Sequence, residues 1–219
     1  MSGNKTNKLF YNQVPLEVFK GMAKQGGFAE HKDLKLISSQ IPADAKVLEL
    51  GAGYGRCVDF LLEKNHSGQI IAIEQSPSLI DVLNEKYKTI SNVIVIQDDL
   101  NSTKTVFEAE IVLWIFSGLL DFSRDEQLSV LKKIRSWIVN EGKLFVDIPQ
   151  LTNLTIARYT TKQDVVMDTP YGSIETFLPS ADDIIAYASA AGYAGITAVD
   201  YDTDTGKKRT MYTFTTVPS

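Results

Sequence analysis

Residues 46–56 read KVLELGAGYGR, and this stretch decides the fold class. An apolar run, Val47, Leu48 and Leu50, carries one acid, Glu49, and runs into three glycines, Gly51, Gly53 and Gly55. Glycine lacks a Cβ and tolerates positive φ, so it serves where a chain turns sharply out of a strand and passes close to a ligand. The next residues, RCVDFLLEKN, space their apolar side chains as a helix does. The turn therefore joins a strand to a helix, the arrangement that binds nucleotides in a parallel α/β sheet.

Two further strands extend the pattern. Residues 69–76, QIIAIEQS, are continuously apolar up to Glu74 and Gln75. Glu74 lies about 20 residues beyond the turn, the distance at which a carboxylate at the next strand tip reaches a ribose diol. Residues 93–99, VIVIQDD, form a third buried strand that ends in Asp98 and Asp99, with Leu100 following.

With these three motifs the chain resembles the class I S-adenosylmethionine-dependent methyltransferases over residues 30–217. The resemblance implies that S-adenosylmethionine is the cofactor. Its methionine end would lie near Glu49 and Gly51, its ribose hydroxyls would both bond Glu74, and Ala52, Gly53, Gly55 and Gln75 are further cofactor-binding candidates. Its adenine amino group would meet Asp99, flanked by Leu100 and by Asp98, which stands where the family has a small residue. The fourth strand tip, LWIFSGLLDF, would face the methyl group. There Trp114, Ile115 and Phe116 fit the core as well as the site, and Ser117 and Gly118 are better placed to approach the ligand. No Asn/Asp-Pro-Pro-Tyr-like motif occurs at this tip, which argues against methylation of DNA bases or glutamine amides.

A nicotinamide or flavin dinucleotide domain shares the first strand, the glycine turn and the ribose acid. Its fingerprint places a third glycine where this chain has Arg56. The C-terminus separates the two further. Residues 196–202 and 209–217 read as two strands joined by a short turn at Asp204 and Gly206, which places them side by side and antiparallel. An antiparallel last strand is typical of the methyltransferases and unusual in dinucleotide domains.

The expected architecture is α/β: a doubly wound, mostly parallel seven-stranded sheet with an antiparallel last strand, N-terminal helices and a β-hairpin insertion. The 219 residues fit one domain, 1–219, in which residues 1–42 form an N-terminal arm and helices. Helices are expected at 15–25, 29–41, 56–65, 77–90 and 123–138, and a last one runs from Ser180 to Gly192. Capping boxes mark two of them, Ser123 with Glu126 and Ser180 with Asp183. The fourth and fifth strands are expected at 111–116 and 143–148.

The segment 149–179 is longer than a normal connection and alternates apolar and polar residues (Ile156, Tyr159, Val165, Val166, then Ile174 and Phe177) around a Pro170–Gly172 turn. It is expected to be a hairpin leaving the strand ends where ligands bind, hence a lid; an edge decoration or a homodimer contact is the other reading. Arg158 and Tyr159 are its candidates for touching the acceptor, and the arginine would favour an acidic or polar one.

A hydrophobic content of 44% suits a globular core, and a net charge of −5 argues against nucleic acid and anionic lipid as partners. No apolar run approaches the roughly 20 residues that span a bilayer, and the N-terminus shows no apolar signal core. A single cysteine, Cys57, expected in the core, suits a reducing cytoplasm. His31 and His66 are expected on the surface, and no cluster has metal-ligand spacing. No catalytic residue is identified, although Asp121, after the strand-four tip, could be a base. Tyr11 or Phe10, ahead of the first helix, could close over the cofactor.

The reading is a methyltransferase acting on a small-molecule acceptor. The alternatives are a non-catalytic binding or scaffold subunit with the same fold, and a protein- or RNA-directed methyltransferase.

Overall fold

The computed structural model describes residues 3–150, 158, 159, 161 and 163–217. Its strands are β1 (Val47–Leu50), β2 (Ile70–Glu74), β3 (Val93–Gln97), β4 (Ala109–Trp114), β5 (Ile138–Pro149), β6 (Arg158–Tyr159), β7 (Asp164–Thr169), β8 (Gly172–Phe177), β9 (Gly195–Asp202) and β10 (Lys208–Thr215). Seven of them form one sheet in the order β3-β2-β1-β4-β5-β10-β9, and β6-β7-β8 form a second, antiparallel sheet. The pairs from β3 to β5 are parallel, whereas β10 runs antiparallel to both β5 and β9.

Alternation along the strands feeds two cores. Leu48 and Leu50 point to one face with Val112 and Val146, where Leu131 and Ile134 of α6 (Arg124–Arg135) and Ile184 of α7 (Ala181–Ala190) cover them. Val47 and Ala72 point to the other face with Leu113 and Phe145. There they meet Leu34 of α3 (Lys32–Ile37), Val58 of α4 (Arg56–Glu63) and Leu83 of α5 (Pro77–Tyr87). Strand side chains alternate sides with a period of two, so a β sheet buried on both faces reads as continuously apolar.

Both capping boxes form. Glu126 accepts from the Ser123 N–H at 2.9 Å, and Ser180 and Asp183 exchange bonds of 2.9 and 3.1 Å. Cys57 is buried and unpaired by disulfide.

Several elements depart from the sequence reading. Tyr11 does not precede the first helix but lies in one, α1 (Gly3–Gln13), followed by α2 (Leu16–Gly26). The residues of α1 that pack inward are Asn7 and Phe10, continued by Val14 just past its end, and the polar residue in that stripe hides its periodicity. The helix expected over 29–41 shortens to α3 and a 3-10 turn, Ser38–Gln40. Strand β5 begins at Ile138, because Ile138 pairs with Ala109 ahead of a register shift, and its polar residues 140–142 read as a turn. His66 is not solvated: it is buried, with Nε2 at 2.9 Å from the Ala45 carbonyl oxygen.

The expected hairpin is the β7–β8 pair, to which β6 adds a third strand through Arg158 and Tyr159. Ile156 and the side chains of Arg158 and Tyr159 lie outside the described residues. This small sheet packs on α1 through a third cluster, in which Phe10, Val14, Phe19, Leu79 and Ile174 cap the carboxyl ends of the parallel strands.

Candidate cofactor and acceptor site

The chain order of the main sheet reverses at β1, which has β2 on one side and β4 on the other. Ligands of open α/β sheets bind in the crevice outside the strand ends at such a reversal. The glycine turn lies there, with φ of +70° at Gly51, +58° at Gly53 and +87° at Gly55. The three glycines are not equivalent. A Cβ on Gly55 would lie 2.2 Å from the Tyr87 hydroxyl, and one on Gly53 would lie 3.0 Å from the Phe19 ring. A Cβ on Gly51 would meet nothing within 4 Å, so Gly51 borders open space.

That space is a cavity of about 740 Å³ counting its open mouth. Its floor holds Gly51, Glu74 and Gln75, and its far end Asp98, Asp99 and Leu100. A smaller recess at the glycine turn is lined by Glu49, Ala52 and Gly53.

Glu74 is buried and already occupied. One carboxylate oxygen accepts from the N–H groups of Gln75 and Ser76, each at 2.8 Å, and the other from the N–H of Gly53 at 2.9 Å. The acid thus fixes the glycine turn as well as facing the cavity. Burial raises its pKa, and the three amide bonds oppose that rise. Glu49 accepts no amide bonds of this kind: its Oε2 is buried without a partner, and burial, opposed by the Cys57 thiol and the Arg56 charge, pushes its pKa to about 7. Gln75 likewise buries an unpartnered Oε1. Unpaired buried acceptors cost free energy, which a ligand offering N–H or O–H groups would recover.

At the far end, Asp98 folds onto its own loop, accepting from Thr103, Thr105 and the Asp99 N–H. Asp99 turns outward and pairs with Lys8 of α1 at 3.1 Å.

Strand β4 stops at Trp114, before the expected 116, and Phe116 and Ser117 follow with φ of +61° and +68°. Positive φ strains residues other than glycine and persists only where the surroundings enforce it. Here buried Asp147 enforces it, accepting from the Ser117 N–H at 3.0 Å while Arg209 donates to Asp147 and to Ser117 Oγ. The tip then enters a 3-10 turn, Gly118–Asp121. Asp121 lines the cavity and accepts from Asn7 at 3.2 Å and from the Tyr11 hydroxyl at 3.3 Å. Burial pushes its pKa to about 7.

A family model described as a methyltransferase domain matches residues 47–142. The fold also matches the CcbJ methyltransferase of Streptomyces caelestis, with a TM-score of 0.71 at 16% identity over 96% of this chain and 99% of that one. The chain has the fold of the class I S-adenosylmethionine-dependent methyltransferases. S-adenosylmethionine is the cofactor named for a solved structure of this fold, a methyltransferase from Clostridium acetobutylicum ATCC 824. The Burkholderia thailandensis 1,6-didemethyltoxoflavin-N1-methyltransferase, solved with its substrate and S-adenosylhomocysteine, matches at a TM-score of 0.65 and 14% identity, over 91% of this chain and 83% of that one. Among curated relatives, a pavine N-methyltransferase from Thalictrum flavum subsp. glaucum is 31% identical over 119 residues, covering 52% of this chain and 32% of the relative. The chain spans no more than about a third of the length of the curated relatives it matches.

Around this strand-end crevice the structure brings together most of the residues singled out in the sequence. Gly51, Glu74, Gln75, Asp98, Asp99, Leu100 and Trp114 line the main cavity, and Glu49, Ala52 and Gly53 the adjoining recess. Gly55 and Ser117 line neither: Gly55 packs on Tyr87, and Ser117 is held by Asp147 and Arg209. Tyr11 faces the cavity, whereas Phe10 is core. Phe19 and Phe122 also line it, and the sequence reading missed both because apolar residues carry no chemical signature of a site. No residue of 158–177 lines the cavity among the described residues; α1 stands between it and the small sheet. Among the described residues no helix is long and apolar enough to cross a membrane.

Proposed function

We propose that this methyltransferase transfers the methyl group of S-adenosylmethionine to a small-molecule acceptor enclosed beneath α1. The observation that carries the reading is the buried, unpartnered Oε2 of Glu49 beside the open space at Gly51. An ammonium group is what that oxygen lacks, and the amino-acid end of the cofactor carries one.

The other acceptors fit the rest of the cofactor. A carboxylate offers about four acceptor sites, and three on Glu74 are filled by amides, which leaves one for a ribose hydroxyl. The unpartnered Gln75 Oε1 supplies the next acceptor for the second hydroxyl. Asp99 would accept from the adenine amino group, sharing its outer oxygen with Lys8. The bound cofactor supplies an already activated methyl carbon, so the chain itself needs chiefly to align the acceptor and exclude water.

Enclosure falls to α1, which reaches Asp99 through Lys8, Asp121 through Asn7 and Tyr11, and Ser76 through the Tyr11 carbonyl. The small sheet backs α1 and makes the lid a two-part unit. The named small-molecule substrates of the pavine and toxoflavin-type enzymes support an acceptor of that size.

The test has two stages. Titration calorimetry should register one S-adenosylhomocysteine per chain, and incubation with methyl-labelled S-adenosylmethionine and a metabolite extract should label a small molecule. No binding removes the cofactor reading; binding with label found only in protein or RNA removes the small acceptor.

A further inference from the structure

Asp121 is a cavity carboxylate for which the proposed cofactor contacts have no use. Its side chain meets two neutral donors, Asn7 and the Tyr11 hydroxyl. The charged and titratable groups nearest to it are Tyr11 from α1 and Glu74 at the end of β2, and the latter is a further acid. Asp98 and Asp99 close the far end of the same cavity, where Lys8 is committed to Asp99. No lysine, arginine or histidine lines this cavity among the described residues.

The walls match the floor. Tyr11, Phe19, Trp114, Phe116 and Phe122 surround the space, with Tyr11 edge-on to Phe19 at 5.9 Å and Phe19 stacked on Phe116 at 6.3 Å. Aromatic faces attract cations, most strongly where water is excluded. A carboxylate in such a place needs a positive partner or a proton. An anionic acceptor would meet only like charge here, and a neutral one would leave Asp121 uncompensated.

We infer that the acceptor is a protonatable amine, bound as its ammonium against Asp121 and freed of one proton by that carboxylate. This rests on the proposed function above. The ammonium N–H bond breaks, the proton bonds to an Asp121 oxygen, and the electron pair stays on nitrogen as the nucleophile. The sulfonium donor then contributes CH₃⁺ to that pair and keeps its own C–S electrons, so the products are a methylammonium and a neutral thioether. Asp121 returns its proton to water when the lid opens. A carboxyl that titrates near neutrality suits both halves of this exchange.

The sulfonium of the donor is itself a cation and could use the same walls, so the test employs the uncharged thioether. The protein saturated with S-adenosylhomocysteine is titrated calorimetrically with amines from methylamine to 2-phenylethylamine, and with 2-phenylethanol and 3-phenylpropanoate as neutral and anionic counterparts. At pH 8 the best amine should bind at least about tenfold more tightly than the alcohol, and the carboxylate not at all. The preference should vanish at pH 5.5, where Asp121 is protonated, and in Asp121→Asn. The pH arm needs no variant, so a misfolded mutant does not blunt the test. Equal binding of amine and alcohol, binding by no amine, or a preference that survives at pH 5.5 overturns the inference while leaving the cofactor reading intact. Failure of S-adenosylhomocysteine itself to bind overturns both.

Discussion

The side-chain amide of Asn7 pairs with both backbone groups of Glu175. Its Nδ2 donates to the Glu175 carbonyl and its Oδ1 accepts from the Glu175 N–H, each at 2.8 Å. Asn7 is 1% exposed, and the same Nδ2 reaches Asp121. One residue therefore joins the N-terminal helix, the small sheet and the acceptor wall, and it completes β8 as a neighbouring strand would.

Asn7→Ala leaves a buried backbone pair unsatisfied, at a cost of roughly 1–3 kcal/mol. The cost should fall on the lid more than on the sheet. Hydrogen exchange should accelerate in α1 and β8 and stay slow in β1 and β4, and S-adenosylhomocysteine should dissociate faster. Uniform acceleration across the chain would mean that α1 is part of the global core and not a separate lid.

The glycines separate folding from binding. Gly51→Ala adds a Cβ to open space at φ +70°, so it should fold with a loss of about 1–2 kcal/mol from strain and yet lose cofactor binding. Gly55→Ala collides with Tyr87 at 2.2 Å and should lower the melting temperature far more. Thermal denaturation beside calorimetry checks both; normal binding by Gly51→Ala would move the cofactor away from this turn.

Glu74→Ala should weaken S-adenosylhomocysteine binding by roughly 1–3 kcal/mol and also destabilise the unliganded chain, because Gly53, Gln75 and Ser76 lose their acceptor. Wild-type affinity in a folded Glu74→Ala protein would remove the ribose assignment.

Glu49 gives a pH signature. Its folded pKa, about 7, is raised, so the protonated form is the one that folding favours. The unliganded protein should lose stability as pH rises from the ordinary carboxylate range to about 7, and level off above. Cofactor binding has the opposite slope, since an ammonium pairs with the carboxylate. Affinity for S-adenosylhomocysteine should fall by up to roughly tenfold for each pH unit below 7. Glu49→Gln should flatten that dependence, and an unchanged slope in this variant would assign it to another group.

The ion pair beneath the β4 tip is buried, with Asp147 also accepting from Tyr201 at 2.9 Å and Arg209 lying over Phe28 at 5.1 Å. Removing one partner of a buried pair leaves an uncompensated charge. Arg209→Met should therefore cost about 3–5 kcal/mol by chemical denaturation. A change near zero would show that Phe116 and Ser117 hold their conformation without it.

Much of this molecule is legible locally. The continuous apolar runs of β1 and β2, the glycine turn and the acids at three strand ends are properties of adjacent residues, because strand periodicity and turn chemistry act over a few positions. They determined the sheet and its C-terminal hairpin, and ten of the twelve candidate cofactor residues they single out line the cavity or its recess. What only the tertiary structure decided depends on partners far apart in sequence. The helix α1 was invisible because its buried face centres on Asn7, whose burial is tolerable only beside Glu175, 168 positions away. Ser117 belongs to Asp147 and Arg209 and not to the ligand, and His66 is core because the Ala45 carbonyl lies within reach. Asp121 acquired its significance from the aromatic walls that three separate segments, α1, α2 and residues 114–122, bring around it. A polar side chain declares its type in the sequence, but its charge state and its role depend on which groups the fold buries with it.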